Sequence, residues 1–412
     1  MLRNYFKIAF KVLLRRKFFT FVSLFAISFT LVVLMVVVAL VDSTFGPQAP
    51  ETRLDRTIGI FGAQLRGPES RISGLAGYRL LDTCARGLPG VEAESFFTSF
   101  GTATCFKDDA AIKLSLRRTD GAYWRILDFD YLEGGPLTDE DERNANMVAV
   151  ISASTRQKLF DGAEAVGKSI AIDGQNFRVC GVVADVSNIR IVPFSDVWVP
   201  LSTAKSDTYK REVVGNMMAM LLARDAADIP MIKAEYAARV RDLEPEDRKT
   251  FDEIRSSAST FFEFTANQIF GDGVDGGTPA QLLAVFIILM ALFMVLPAVN
   301  LINLNEGRIM ERTSEIGVRK AFGASSRTLA GQFIVENLVI TLAGGVLAFF
   351  LSLMVLKFLS ASGQIPHLIA EPNIRVFLYG LALAVAFGLV SGVYPAWKMS
   401  RLDPVHALNG GF

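Results

Sequence analysis

The chain has 412 residues, 51% of them hydrophobic, and its 42 Lys and Arg residues balance 42 Asp and Glu residues. A formal net charge of zero excludes a partner chosen by bulk charge, nucleic acid above all. The information lies in where the charges and the apolar runs fall along the chain.

Residues 1–17 hold six basic side chains, Arg3, Lys7, Lys11, Arg15, Arg16 and Lys17, and no acid. Those at 3, 7, 11 and 15 share one helical stripe, and Leu2, Tyr5, Phe6, Ala9, Val12 and Leu13 share another. The pattern predicts a cytoplasmic amphipathic helix in the membrane interface, with a plain topology signal as the alternative. Residues 18–41 follow as an uncharged apolar run, longer than the roughly 7–15 residues of a signal-peptide core and without an A-x-A site after it. They read as a retained transmembrane helix, which needs about 20 residues.

Residues 42–279 form one large polar segment, long enough for two subdomains. β-rich runs at 57–61, 94–106, 110–118, 147–151, 168–173, 176–184, 195–200 and 216–223 alternate with helical patterns near 73–87, 121–127, 152–160, 229–243 and 257–270, so a mixed α/β domain is expected. Asp173-Gly174 predicts a hairpin turn, and the Gly-rich run 271–279 predicts a flexible joint. The acidic run "TDEDE" at 138–142 reads as a solvated loop. "GAEAVGKS" at 162–169 fits the phosphate-loop pattern by letter, but a helix precedes it and a strand follows, the reverse of what a nucleotide cradle needs. The two histidines, His367 and His406, lie outside this segment, so no triad, Cys/His pair or His-rich zinc site can form there. Three cysteines, Cys84, Cys105 and Cys180, allow at most one disulfide, and buried free thiols are expected.

Three further spans are expected at 280–304, 335–357 and 375–397, joined by 305–334 and 358–374 and followed by a tail, 398–412. Segment 305–334 holds Arg308, Arg312, Arg319, Lys320 and Arg327 against three Glu, and the tail holds Lys398 and Arg401. By the positive-inside rule these and residues 1–17 face the cytoplasm. Residues 42–279, with 36 acidic and 27 basic side chains, face the other side together with 358–374. Within "ERTSEIGVRKAFGAS" at 311–325, Glu315 and Arg319 stand at i,i+4 and Arg312 and Glu315 at i,i+3; Gly323 is placed to stop the helix, and Ser325 or Ser326 to cap the next. A short charged helix at the membrane edge is predicted.

This stretch, with the preceding "NLINLNEGRIM", the following "QFIVENLVITLAGGVLA" and the C-terminal "GLVSGVYPAWKMSRLDPVHAL", resembles the FtsX-type permease domain of MacB-like (type VII) ABC transporters. "TDGAYWRILDFDYLEGGPLTDEDE" and "AVGKSIAIDGQNFRVCGVV" are similar to the MacB-like periplasmic core domain. The resemblance implies four transmembrane helices, with an outer α/β domain of porter and sabre subdomains inserted between the first and second, whose stalk helices extend those spans; "FFEF" at 261–264 and Phe270 are candidates for the second stalk. It implies a multi-pass protein of the bacterial inner membrane in which 305–323 docks on an ABC ATPase subunit, with Glu311, Arg312, Glu315, Arg319 and Lys320 as its polar contacts. No cofactor is expected in this chain; ATP and Mg would be bound by the ATPase, on a separate polypeptide. A second permease copy or a paralogue completes a dimer, membrane lipids surround it, and a periplasmic adaptor and an outer-membrane channel are further candidate partners. The implied activity is non-catalytic: mechanotransmission that exports a hydrophobic compound, peptide or lipoprotein. The alternative is a signalling permease that controls an envelope hydrolase or sensor.

Overall fold

The computed structural model describes residues 17–107, 110–311, 318, 326–363, 367, 374, 377–382, 384–386 and 389. The amphipathic helix expected over 1–17, Lys17 apart, and the tail 398–412 lie outside the described residues. Two compact units divide the chain, one of residues 1–41, 284–362 and 370–412, the other of 42–283 and 363–369.

The chain enters through α1 (Lys17–Phe45). Rich in Val, Ile and Phe, this run is helical because only a helix satisfies every backbone polar group within one apolar segment. The Thr30 hydroxyl follows the same rule and donates to the Ala26 carbonyl at 3.0 Å.

The outer unit is built from two sheets, one nested in the other. The first starts with β1 (Thr57–Arg66), β2 (Arg71–Ala76) and β3 (Val91–Thr98). The chain then leaves for β4 (Gly101–Lys107), β5 (Ala110–Thr119), β6 (Tyr131–Gly134), β7 (Val148–Ser152), β8 (Ser169–Ile172), β9 (Gln175–Val183) and β10 (Val197–Pro200). It returns as β11 (Val214–Gly215), β12 (Met217–Ala223) and β13 (Glu253–Ser259). The first sheet runs β11-β2-β1-β12-β3, with β13 on the other side of β1. The second runs β6-β9-β7-β10-β5-β4-β8, and because β8 also pairs with β9, six of its strands close into a ring. Helices α2 (Gly121–Ile126), α3 (Asp139–Arg143) and α4 (Ala153–Phe160) belong to this insert, and α5 (Ile229–Asp242) and α6 (Phe261–Phe270) to the first sheet.

Strand periodicity sorts the side chains into three cores. Along β12, Met217, Ala219 and Leu221 meet α5 through Ile232 and Tyr236, while Met218, Met220 and Leu222 face the insert. There they meet Tyr123 and Trp124 of α2, Val148 and Val150 of β7, and Trp198 of β10. The opposite faces of the insert strands, Ala149, Ile151, Val197 and Val199, fill the ring with Phe177 and Val179.

Most of the expected elements form. The hairpin joins β8 to β9 with Ile172 opposite Gln175, and Asp173 and Gly174 take φ of 48° and 78°, the left-handed pair such a turn requires. Three expectations are corrected. The helix read over 73–87 is strand β2 followed by a short helical turn over 78–85; the pattern over 257–270 begins in β13; and "TDEDE" is a capped helix, with Thr138 and Asp141 exchanging side-chain-to-backbone bonds. Cys84 and Cys105 are buried, Cys180 is half-buried, and all three are free thiols. Burial pushes the Cys84 thiol up to about 11 and the Cys180 thiol up to about 12.

In the other unit α7 (Pro279–Glu311) covers the second expected span and α8 (Ser326–Ala361) the third. Among the described residues, Thr20–Phe45 and Ile334–Ala361 are long and apolar enough to cross a membrane, and shorter apolar helices occupy Pro279–Phe293 and Phe377–Ala386. Ile27, Leu31 and Leu34 of α1 pack on Ile340 and Ala348 of α8 and on Ala384. The helices approach closely at Gly344, where a Cβ would lie 2.8 Å from the Ile27 side chain. Phe18, Phe21, Phe25 and Phe29 form an exposed stripe on α1.

Candidate functional site

Of the docking residues expected from the sequence, the structure describes only Glu311, the last residue of α7; Arg312, Glu315, Arg319 and Lys320 lie outside the described residues. Ser326, one of two expected caps, opens α8. The phosphate-loop look-alike is resolved. Helix α4 precedes it, Asp161 and Gly162 take left-handed φ of 54° and 81°, Gly167 turns at 86°, and Lys168 opens toward β8 with its ammonium 5.0 Å from the Phe160 ring centre. No helix N-terminus follows to cradle a phosphate. Among the described residues no cluster of three His, Cys, Asp or Glu can hold a metal.

What the structure does assemble are two polar clamps where the outer unit begins and ends. At the first, the Gly46 amide bonds back to the Asp42 carbonyl at 2.7 Å and closes the last turn of α1. A Cβ at Gly46 would lie 2.5 Å from that carbonyl, so only glycine fits. The freed Gly46 carbonyl accepts from the Arg190 guanidinium at 2.7 Å, and the other arm of Arg190 meets Glu51 at 2.8 Å. Both side chains are buried, at 3% and 11% exposure. A second guanidinium, Arg117, is fully buried nearby, donating to the Ile191 carbonyl at 2.6 Å and the Phe194 carbonyl at 3.2 Å while lying 5.1 Å over the Phe97 ring. Burial lifts the Glu51 carboxyl above its usual range against the pull of Arg190 and Arg117, and burial lowers Arg117. Arg53 adds bonds to Asp128 at 2.9 Å and to the Arg125 carbonyl at 2.7 Å. Phe45 packs on Phe261 and Phe262 of α6 with ring centres 5.7 and 5.2 Å apart.

The second clamp occupies 271–279, which the sequence presents as a flexible joint and the structure shows as a tied loop. The Asp272 carboxylate meets Arg255 at 2.7 Å and Arg66 at 3.1 Å, and its carbonyl accepts from Arg71 at 2.7 Å and from Gln64. Asp275 takes the other arm of Arg255 at 2.6 Å. Asn267 donates to the Val274 carbonyl at 3.0 Å and accepts from the Gly277 amide at 3.1 Å. Burial pushes the Asp272 carboxyl up, but the Asp275 and Val274 amides of its own loop and the neighbouring Arg255 together outweigh that and hold it down at about 2. Helix α6 leads into this loop with a Thr260–Glu263 capping box, and Lys233 of α5 grips the same Glu263 at 2.6 and 2.8 Å. Thr278 then bonds the Gln281 amide at 3.3 Å beside Pro279 and starts α7.

Sequence reasoning missed Glu51, Arg190, Arg255 and Asp272. Their partners stand 139 residues apart in one case and up to 208 in another, and no local spacing announces them. The one available signal was buried charge in apolar context, Arg190 within "NIRIVPF". The clamps contain no nucleophile beside a base; their chemistry is that of mechanical attachment.

The model for the MacB-like periplasmic core domain matches residues 20–239, and that for the FtsX-like permease C-terminal matches residues 287–404. An uncharacterized ABC transporter permease, YvrN, of Bacillus subtilis (strain 168) is 27% identical over 310 residues, 70% of this chain and 68% of the relative. The macrolide export ATP-binding/permease protein MacB of Bdellovibrio bacteriovorus is 28% identical over 278 residues, 66% of this chain and 40% of that one. The crystal structure of the periplasmic region of MacB from Actinobacillus actinomycetemcomitans aligns with a TM-score of 0.35 at 17% identity, covering 44% of this chain and 83% of that one. The chain belongs to the MacB-like, FtsX-type ABC transporter permeases, membrane proteins that carry a periplasmic core domain.

Proposed function

We propose that this chain is the permease subunit of an ABC system of the bacterial inner membrane, crossing it four times and pairing with a second permease copy or paralogue. A separate ATPase subunit docks on the cytoplasmic segment 305–334 through Glu311, Arg312, Glu315, Arg319 and Lys320. Its ATP-driven closure is carried through the spans to the porter and sabre subdomains, which push a hydrophobic compound, peptide or lipoprotein outward, handing it to an adaptor and outer-membrane channel. The chain itself performs no chemistry, and ATP and Mg belong to the ATPase.

The observation that carries this reading is the pair of family matches, a MacB-like periplasmic core domain over residues 20–239 and an FtsX-like permease C-terminal over residues 287–404. Within the outer unit, Arg190 on Gly46 and Glu51, and Asp272 on Arg66 and Arg255, tie its first and last segments into its own fold, which a domain that moves as one piece requires. His367, in the expected loop 358–374, lies 3.5 Å from Asp185, consistent with that loop facing the same side. The relatives named as ABC transporter permeases support an ATPase partner.

The test is a doubly labelled outer unit in the complex with its ATPase, read by electron–electron distance measurement with and without ATP. Glu315→Lys or Arg319→Glu is expected to abolish the ATP-dependent distance change while membrane insertion persists. A wild-type distance change in the variant with both reversals would remove this segment as the docking site.

A further inference from the structure

A cleft of about 590 Å³ lies at the seam between the first sheet and the insert, within the roughly 300–1,000 Å³ typical of small-molecule sites. One wall is β3 and the turn before it, with Arg86, Leu88, Glu94 and Phe96; the other is α2, α3 and Leu201. Leu88, Phe96 and Leu201 are buried and give it an apolar floor.

The lining charges are unbalanced. Arg86 is taken by Asp82 at 2.7 Å and Glu94 at 3.7 Å, and Arg125 by Asp139. No basic lining residue pairs with Asp120 or Glu142. Asp120 spends its oxygens on the Phe96 amide at 2.8 Å, the Ser95 hydroxyl at 2.7 Å and the Tyr123 amide at 2.9 Å, and Glu142 accepts from the Ser202 amide at 3.0 and 3.1 Å. Of the five carboxylates lining the cleft, Glu92 pairs with Arg56, Glu94 with Arg86 and Asp139 with Arg125, which leaves Asp120 and Glu142 with no ion-pair partner among the described residues. The face of Phe96 already holds a cation, since Arg86 sits 4.9 Å above its centre.

We propose that this cleft binds an organic cation with an apolar body, its charge held between Glu142 and Glu94 and its body against Leu88, Phe96 and Leu201. An anion would meet the excess carboxylates, and a neutral apolar body would strip water from them without return. Burial pushes the Asp120 carboxyl up to about 6 and raises that of Glu142, a cost that a bound cation offsets. Because both walls come from the outer unit but from different sheets, an occupant bridges the first sheet and the insert.

The test is calorimetric titration of the full-length protein in detergent with benzyltrimethylammonium and, at matched ionic strength, with phenylmethanesulfonate. The cation is expected to saturate one site per chain, and the anion to show no saturable heat. Glu142→Gln should weaken cation binding about tenfold, as loss of one charged partner does. Glu94→Gln, at a partly exposed position that tolerates the change, should weaken it in the same direction. The proposal is overturned if the cation does not saturate, if the anion binds as tightly, or if affinity is unchanged in both folded variants. No ATPase is needed, so failure here beside an intact ATP-driven distance change removes the cleft and leaves the proposed function standing.

Discussion

Replacing Arg190 by Met keeps an unbranched apolar stem and deletes the guanidinium. Two groups lose their donor, the Glu51 carboxylate and the Gly46 carbonyl. Both members of the pair are buried, so water cannot substitute. Breaking one side of such a pair costs about 3–5 kcal/mol. For a domain of this size each kcal/mol lowers the midpoint by about 2–4 °C, so Arg190→Met should melt about 6–20 °C below wild type when full-length protein in detergent is followed by near-ultraviolet circular dichroism. The double variant Glu51→Leu with Arg190→Met removes both charges of the pair, leaving the Gly46 carbonyl unsatisfied, about 1–3 kcal/mol, and Arg117 without the nearby Glu51 charge. It should recover roughly half the loss. Burial already raises the Glu51 carboxyl, and without Arg190 it takes up a proton more readily, so the single variant should suffer less at pH 5 than at pH 8. A single-variant shift under about 2 °C, or a double variant no better than the single, would refute the account of the clamp.

Two further predictions concern pH. Asp120, pushed up to about 6 by burial, has a folded pKa above its unfolded one, so its contribution to stability is complete below about pH 4 and is lost as pH rises through 6. The two-unit shift is worth about 3 kcal/mol, and the rise in melting temperature of wild type from pH 7 to pH 5 should flatten in Asp120→Asn; an unchanged slope would assign the pH response elsewhere. Asp272 has the opposite sign. Held at about 2, it stabilises the fold above its unfolded pKa, and that contribution is lost as pH falls from about 4 through 2. Asp272→Asn should be destabilised at pH 7 and lose little more on acidification; acid sensitivity equal to wild type would count against the second clamp.

The first sheet and the insert were largely legible where period-two burial is strong. The run "MMAMLLA" of β12 is buried on both faces and has no polar alternative, and β7 and β10 behave alike. The failures have physical causes. β2, "RISGLA", is mostly exposed because only its last two residues pair with the two-residue β11, and β13, "EIRSSAS", carries polar residues because it borders the sheet, so neither shows an apolar alternation. "GDGVDGGTP" has the composition of a linker, yet arginines 17 and about 200 residues away supply its order. Composition records what a segment lacks in itself, whereas its rigidity here is donated from elsewhere. The same distance hides the Glu51–Arg190 pair and the seam cleft, whose walls come from segments joined only by folding.

The nesting of the second sheet within the first has a consequence for leverage. The insert departs after Thr98 and rejoins at Val214, so along the covalent chain it is a cantilever hung from β3 and β11. Arg190 sits inside the insert yet grips the residues just after α1, so the far sheet is bound to the start of the outer unit by a contact that bypasses both crossings.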